Sequence, residues 1–355
     1  MLPMPMNYAC AEIDLAAISS NYAMARSTAP ESKFMAVIKG DAYGHGIVEV
    51  ARQLNTADAF GVARLDEAVA LRDSGIKTPI TLLEGVLDSG ELKTAGYHQI
   101  DLVVHSDHQV AMLERESGFN IWLKLETGMH RLGMSISDLS QNLARLKDHK
   151  VLGVMGHLAS ADTNDTSVTE DQLRVLDEAT KSLPYAKSLA NSAGILGHPD
   201  TRADWNRPGL MLYGATPFAD LEPLASLRTA MTLTAPVIAI NQVSEGDAVG
   251  YGGIWTAPAD CRIAVIAIGY ADGYPREAPM STPVLIGGQK CMLAGRVSMD
   301  MITVELAADD LVRVGDRCVL WGKGLPIEEI SRCTGTIPYT LMCGVSKRVS
   351  RNYVS

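Results

Sequence analysis

FMAVIK, residues 34–39, is a short apolar run that ends on a lysine and is followed at once by GDAYGHG, residues 40–46. Runs of the same kind recur at AFGVA (59–63), PITLLE (79–84), IDLVVH (100–105), NIWLKLE (120–126), VLGVMGHL (151–158), AKSLAN (186–191) and GLMLYG (209–214), eight in all. None alternates strictly between apolar and polar, which is the pattern of strands covered on both faces. Between them the spacing turns amphipathic. LDEAVALRDS (65–74) puts Asp66 and Glu67 in a first helical turn and is followed by Gly75, a start and a stop signal together. TEDQLRVLDEATKSL (169–183) is a second helical pattern. Strands alternating with helices over short connections build parallel sheets, and eight such units between residues 34 and 213 predict a (β/α)8 TIM barrel.

Beyond about residue 217 the pattern changes to longer β-rich runs, MTLTAPVIAINQV (231–243), RIAVIAIGY (262–270), CMLAGRV (291–297), MITVEL (301–306) and RCVLWG (317–322), with IEEISRC (327–333) as a helical signal. A chain of 355 residues exceeds what one core usually spans. The expected organisation is therefore an α/β barrel over residues 1–220 that carries Lys39, then a mainly β domain over 221–355, hinged near residue 220.

Composition excludes several classes. With 47% hydrophobic and 20% charged residues the chain is neither disordered nor membrane-embedded. A net charge of -10 argues against nucleic acid or an anionic membrane as a partner. The six cysteines show no CxxC or Cys/His spacing, so reduced thiols are expected rather than disulfides or zinc. His105 and His108 have no third ligand near in sequence, and no metal is expected. The opening MLPMPMNYACAEIDL lacks a basic n-region and a continuous apolar h-region, which predicts a cytoplasmic protein.

In a barrel the carboxyl-terminal ends of the strands form the active-site mouth. Lys39 ends the first run, Lys124 and Glu126 fall at the end of the fifth, His157 at the sixth, Asn191 and Ser192 at the seventh, and Tyr213 at the eighth. Each alone reads equally as a strand-end cation or a satisfied hydrogen-bonding group. Together they mark one rim. Ser192-Ala193-Gly194 and Pro208-Gly209-Leu210 lie where barrels often hold a phosphate on backbone N–H groups, although Gly beside Ser is also ordinary turn chemistry.

The string VIKGDAYGHG (37–46) resembles the cofactor-lysine motif of the alanine racemase family. The similarity continues in order through KLETGMHRLG (124–133), GHLA (156–159), NSAG (191–194), RPGLMLYG (207–214), GYGG (250–253), GYADGYPR (269–276) and GRVSMD (295–300), over essentially the whole chain. One departure is Gly40, where the family pattern leads us to expect alanine.

The resemblance implies pyridoxal 5'-phosphate as cofactor and interconversion of L-alanine and D-alanine, which supplies D-alanine for peptidoglycan. It implies that Lys39 holds the cofactor and acts as one base. Tyr251, from the β domain of a second subunit, would be the opposite base, making the active site a property of a homodimer. Arg131 would lie near the cofactor and the substrate carboxylate, with the backbone of Met299 also binding substrate. Tyr43, Asn191, Ser192, Gly209, Leu210 and Tyr339 would hold the cofactor and its phosphate. Lys124 would carry a carbamate that orients Arg131. His157 and Arg207 would form a hydrogen-bonded chain to Tyr251, with Arg207 also facing the cofactor's ring nitrogen.

Racemisation removes a proton from one face of an α-carbon and returns one to the other, so two acid/base groups must flank it. A permanent cation such as Arg207 disfavours a proton on the ring nitrogen and weakens the electron sink, which suits a racemase better than a decarboxylase of the same fold. A broader-specificity racemase of the family is the main competing reading. A non-catalytic cofactor carrier on the same barrel is opposed by the β domain and Tyr251.

Overall fold

A computed structural model of the chain describes residues 8–307 and 311–354. The reading of the amino terminus as leaderless rests partly on residues 1–7, which lie outside the described residues. The structure divides into two units, residues 19–212 with 217–220, and residues 8–18, 213–216 and 221–354.

The chain opens with β1 (Cys10–Asp14), a strand of the second unit. The first unit is a closed parallel barrel of eight strands. These are β2 (Lys33–Val37), β3 (Ala59–Val62), β4 (Ile80–Leu82), β5 (Asp101–Val104), β6 (Asn120–Lys124), β7 (Lys150–Met155), β8 (Ala186–Ser188) and β9 (Trp205–Asn206). The circle closes where Lys33 pairs with Trp205 and Phe34 with Asn206. As the unbroken apolar runs require, β3, β4 and β5 are buried at every position. Met35, Ala59, Val103, Trp122 and Met155 pack together inside the barrel.

Several helices between the strands start where short polar side chains satisfy the free N–H groups of a first turn. Asp88 accepts from the N–H of Gly90 and Glu91, Ser106 from Gln109, and Ser135 from Asp138. The helices Leu65–Asp73 and Ser167–Thr180 match the amphipathic stretches of the sequence.

The eighth strand requires a correction. GLMLYG is not a strand: Leu210–Tyr213 is a tight 3-10 turn, and the barrel is closed by the two-residue β9 just before it. Pro208, with no N–H to donate, ends the ladder, and the apolar run is buried as a turn instead. Periodicity cannot tell a buried four-residue strand from a buried turn. Tyr213 therefore does not end a barrel strand, and it falls in the second unit.

The second unit is built on β10 (Met231–Val243). Around it lie β11 (Ala248–Val249), β12 (Trp255–Thr256), β13 (Cys261–Ile266), β14 (Pro283–Ile286), β15 (Gln289–Met292), β16 (Ile302–Leu306), β17 (Arg317–Trp321) and β18 (Ser350–Val354). The main sheet runs β15-β14-β17-β10-β1-β18, with β13 on β10 and β16 on β13. Register shifts at Leu233/Thr234 and Val237/Ala239 bracket Pro236 and let one long strand serve two ladders.

β1 pairs antiparallel with β10 and parallel with β18, so the chain lays down a strand of the β unit before it enters the barrel. A barrel domain beginning at residue 1 thus misplaces these residues. The alternating burial of CAEID, with Ala11 and Ile13 inside, is the one local sign of it. The helix Pro338–Gly344 was also not legible as a periodic pattern, although Pro338 at its first position is a start signal. All six cysteines are free thiols. Among the described residues no helix is long and apolar enough to cross a membrane.

Candidate functional site

β2 ends at Val37, and Lys39 opens a turn, Lys39–Tyr43, at the carboxyl-terminal mouth of the barrel. Gly40, Asp41, Ala42 and Tyr43 have φ of 64°, 54°, 53° and 54°, so the chain makes a left-handed helical turn there. For residues with a Cβ this costs about 1–2 kcal/mol each, and only Gly40 is spared. The turn is held by Gly44 N–H to Gly40 O at 3.0 Å, Gly46 N–H to Asp41 O at 3.0 Å and Ile47 N–H to the Asp41 carboxylate at 2.8 Å. Its effect is to bury Tyr43 while Lys39 stays half-exposed.

A second contribution comes from the end of β6. Beyond Lys124 the chain folds back on itself, with Met134 N–H to Lys124 O and Glu126 N–H to Met134 O, each at 2.9 Å. The loop between carries Arg131. The Glu126 carboxylate accepts from Gly128 N–H at 2.5 Å and Met129 N–H at 2.7 Å. Burial alone would raise its pKa, but these backbone donors hold it below the usual value.

Lys124 is 9% exposed and Arg207 4%. Burial, and then the nearby charges of Arg207, Arg131 and Lys39, bring the Lys124 amine down to about 8. Burial pushes Arg207 down to about 10, so it remains a cation at neutral pH. Its guanidinium donates to Ser188 Oγ, to the carbonyls of Gly156 and Leu189 at 2.6 and 3.2 Å, and to His157 Nδ1 at 3.5 Å. None of these partners is a carboxylate. Burial first, then Arg207, Lys124, Arg131 and Lys39, hold His157 well below its ordinary pKa. A neutral imidazole accepting at Nδ1 carries its proton on Nε2.

Beyond β8, next to these residues, Ser192 Oγ accepts from Gly209 N–H at 2.9 Å and Met211 N–H at 3.3 Å, which leaves its own O–H to donate. Asn191 caps the short helix Ser192–Gly197 by accepting from Gly194 N–H at 3.0 Å. Leu210 is buried in the adjoining turn. A Cβ on Gly209 would lie 2.8 Å from the Tyr43 hydroxyl.

Pyridoxal 5'-phosphate fits this mouth on two counts. Arg207, Arg131 and Lys39 all act as cations on Lys124, opposed there by Glu84, and the same three with Lys124 act on His157, a positive setting that suits an anionic guest. Ser192, Gly209 and Tyr43 form a cradle that a single Cβ would crowd. Gly209→Ala is accordingly expected to keep the fold and to weaken cofactor binding about tenfold or more, since overpacking of this kind costs about 1–3 kcal/mol. Cofactor titration beside a thermal melt checks it.

In the β unit, Tyr251 stands on a 3-10 turn, Tyr251–Gly253, between β11 and β12, and is 72% exposed. Met299 accepts from Ala271 N–H at 3.0 Å through its carbonyl and leaves its side chain exposed. Tyr339 lies in the helix Pro338–Gly344.

Sequence reasoning missed two residues around the mouth. Gln172, fully buried, accepts from Ala159 N–H at 2.8 Å and donates to His157 O at 2.8 Å and Thr127 Oγ1 at 3.0 Å, bracing the chain that carries His157. Glu67, seen in the sequence only as a first-turn acid, reaches back to the Lys39 turn. A cavity of about 630 Å³ opens at the other mouth of the barrel, over Asp101, Trp122 and Trp205, and includes none of the predicted site residues.

Two family models match the chain, "Alanine racemase, N-terminal domain" over residues 13–217 and "Alanine racemase, C-terminal domain" over residues 230–353. An alanine racemase of Vibrio parahaemolyticus is 44% identical, over 98% of this chain and 99% of its own length. One of Shewanella woodyi is 46% identical, over 96% and 97%. Among solved structures, the biosynthetic alanine racemase of Pseudomonas aeruginosa superposes with a TM-score of 0.93 at 42% identity, covering 99% of this chain and 100% of that one. The alanine racemase of Bartonella henselae, with covalently bound pyridoxal phosphate, gives 0.92 at 29% identity, covering 98% and 99%.

Proposed function

The chain belongs to the alanine racemase family, and from that premise we propose how its own residues interconvert L-alanine and D-alanine. The enzyme is a pyridoxal-phosphate-dependent isomerase. The observation that carries the residue assignment is the cluster of Lys39, Lys124, Arg131 and Arg207 at one barrel mouth, next to a cradle of Ser192, Gly209 and Tyr43.

The cofactor, when bound, supplies an electron-accepting ring that makes the substrate's α-hydrogen acidic. Lys39 Nζ holds the cofactor and moves a proton on one face of the α-carbon. Tyr251 Oη moves a proton on the other. His157, neutral and with its proton on Nε2, donates toward the phenolic oxygen, and Arg207 behind it favours the phenolate through that bond. Arg207, a buried cation, would be the residue set against the cofactor's ring nitrogen and would keep the electron sink weak, which limits side reactions. Arg131 binds the substrate carboxylate, helped by the backbone of Met299. Ser192 O–H and the residues around Gly209, Leu210, Asn191, Tyr43 and Tyr339 hold the phosphate end.

Lys124, with its amine brought down to about 8, is neutral often enough to add carbon dioxide. The carbamate so formed releases a proton and turns a repulsion with Arg131 into an attraction.

Tyr251 comes from the second subunit of a homodimer. Support lies in the number of large side chains that the β unit leaves exposed, among them Tyr251, Ile254, Tyr270, Met299, Met301 and Ile337. The enzyme works in the cytoplasm and feeds D-alanine to peptidoglycan. Assaying a panel of L-amino acids for loss of optical activity tests the reading. Alanine is expected to lead by at least about tenfold, the discrimination one added methylene or hydroxyl allows. Equal rates across larger side chains would replace it with a broad-specificity racemase.

A further inference from the structure

We propose that Glu67 is a positioning residue for Lys39, clamping the left-handed turn through which the lysine enters the active-site mouth. Its Oε1 accepts from the N–H groups of Gly40 at 2.6 Å and Asp41 at 3.4 Å. Its Oε2 accepts from Ala63 N–H at 3.0 Å and Arg64 N–H at 3.1 Å. One carboxylate therefore ties the connection after β2 to the connection after β3.

The first N–H groups of any helical turn lack partners within it, and a left-handed turn is no exception. Glu67 supplies acceptors for two of them, and charge-assisted bonds are the stronger kind. Glu67 heads the stably packed helix Leu65–Asp73, so the turn is referred to a rigid element rather than to a loop. The bond from Gly40 N–H is one peptide away from Lys39. Holding that nitrogen holds the direction in which the Lys39 side chain leaves the backbone. Gly40, which meets no Cβ penalty at φ 64°, makes the clamped shape easier to adopt and also easier to leave once the clamp is gone.

Glu67 touches neither substrate nor cofactor in this assignment. Its neighbour Asp66 serves as a control, because it bonds Arg64 and Glu67 N–H and not the Lys39 turn.

The inference rests on the role given to Lys39, but one of its tests does not. In Glu67→Gln the amide replaces one accepting oxygen with a donor, so one pair of N–H groups loses its partner. Hydrogen–deuterium exchange of the peptide covering residues 39–46 should quicken at least about tenfold in the variant, while peptides from β6 and β7 and the Asp66→Asn protein stay unchanged. In the holoenzyme kcat should fall about tenfold to a hundredfold with KM nearly constant, as a small displacement of a reacting group allows. Cofactor should also leave faster on gel filtration.

Glu67→Asp keeps the charge but is a methylene shorter, so it should hold one connection and give an intermediate loss, and it serves if the Gln variant fails to fold. Unchanged exchange over residues 39–46 in both Glu67→Gln and Glu67→Ala, the second of which removes both accepting oxygens, would overturn the clamp. So would quickened exchange with kcat unaltered, or a lowered melting temperature as the sole effect. A failure of the Lys39 assignment would instead leave the exchange result standing and show itself in Lys39→Ala.

Discussion

Lys39→Ala is expected to lower racemisation by at least about 10⁴-fold, the upper range for loss of an acid/base group, and to abolish covalent retention of cofactor as well. The variant should still fold, since Lys39 is half-exposed and the turn is bonded through its backbone and the Asp41 and Glu67 carboxylates. The rival is close by. Lys124 is an amine whose pKa is brought down to about 8 in the same cluster, and so is itself a credible nucleophile. Borohydride reduction followed by peptide mapping separates the two. Label on Lys39 in the native enzyme and none on Lys124 in Lys39→Ala is the expected pattern. Activity with label on Lys124 would reassign the cofactor lysine.

Tyr251→Phe should have the second largest effect, and its signature is qualitative. The two alanine enantiomers have equal free energy, so kcat/KM must fall equally in both directions whatever the variant does. What becomes unequal is exchange. With Lys39 intact, one enantiomer should trade its α-hydrogen for solvent deuterium many times before it inverts, because one face keeps its base. The other enantiomer should do neither. Racemisation itself is expected to drop about 10²–10⁴-fold. Loss of exchange for both enantiomers alike would contradict a division of labour between two faces.

Much of the barrel was legible because its strands announce themselves. FMAVIK and NIWLKLE each overlap a strand to within a residue or two and VLGVMGHL to within three, since continuous apolar runs between capped helices admit few alternatives. GLMLYG failed because a buried turn and a buried strand share the same composition, and the decisive residue, Pro208, lies just before the apolar run. β1 was missed for a different reason. Its partners, β10 and β18, lie hundreds of residues on, and no local pattern encodes such a pairing.

The site divides the same way. Lys39, Lys124 and His157 follow from their places at or beside strand ends, whereas Arg207 was reached only through the family resemblance. The left-handed shape of Asp41, Ala42 and Tyr43 does not, because none of them favours it and what sustains it includes an acceptor 27 residues away. Glu67 was visible only as a helix start. A carboxylate that serves its own helix and a distant turn looks, in sequence, like one that serves the helix alone.

The central claim is that a lysine and a tyrosine from different subunits flank one α-carbon. Co-expressing Lys39→Ala and Tyr251→Phe chains with different tags, and purifying the mixed dimer, tests it most directly. Each homodimer lacks a base in both sites. In the mixed dimer one site draws Lys39 from one chain and Tyr251 from the other and is whole, so activity should return to roughly half that of the native dimer. A mixed dimer as inactive as its two parents would mean that both groups come from the same chain, or that Tyr251 is not the second base.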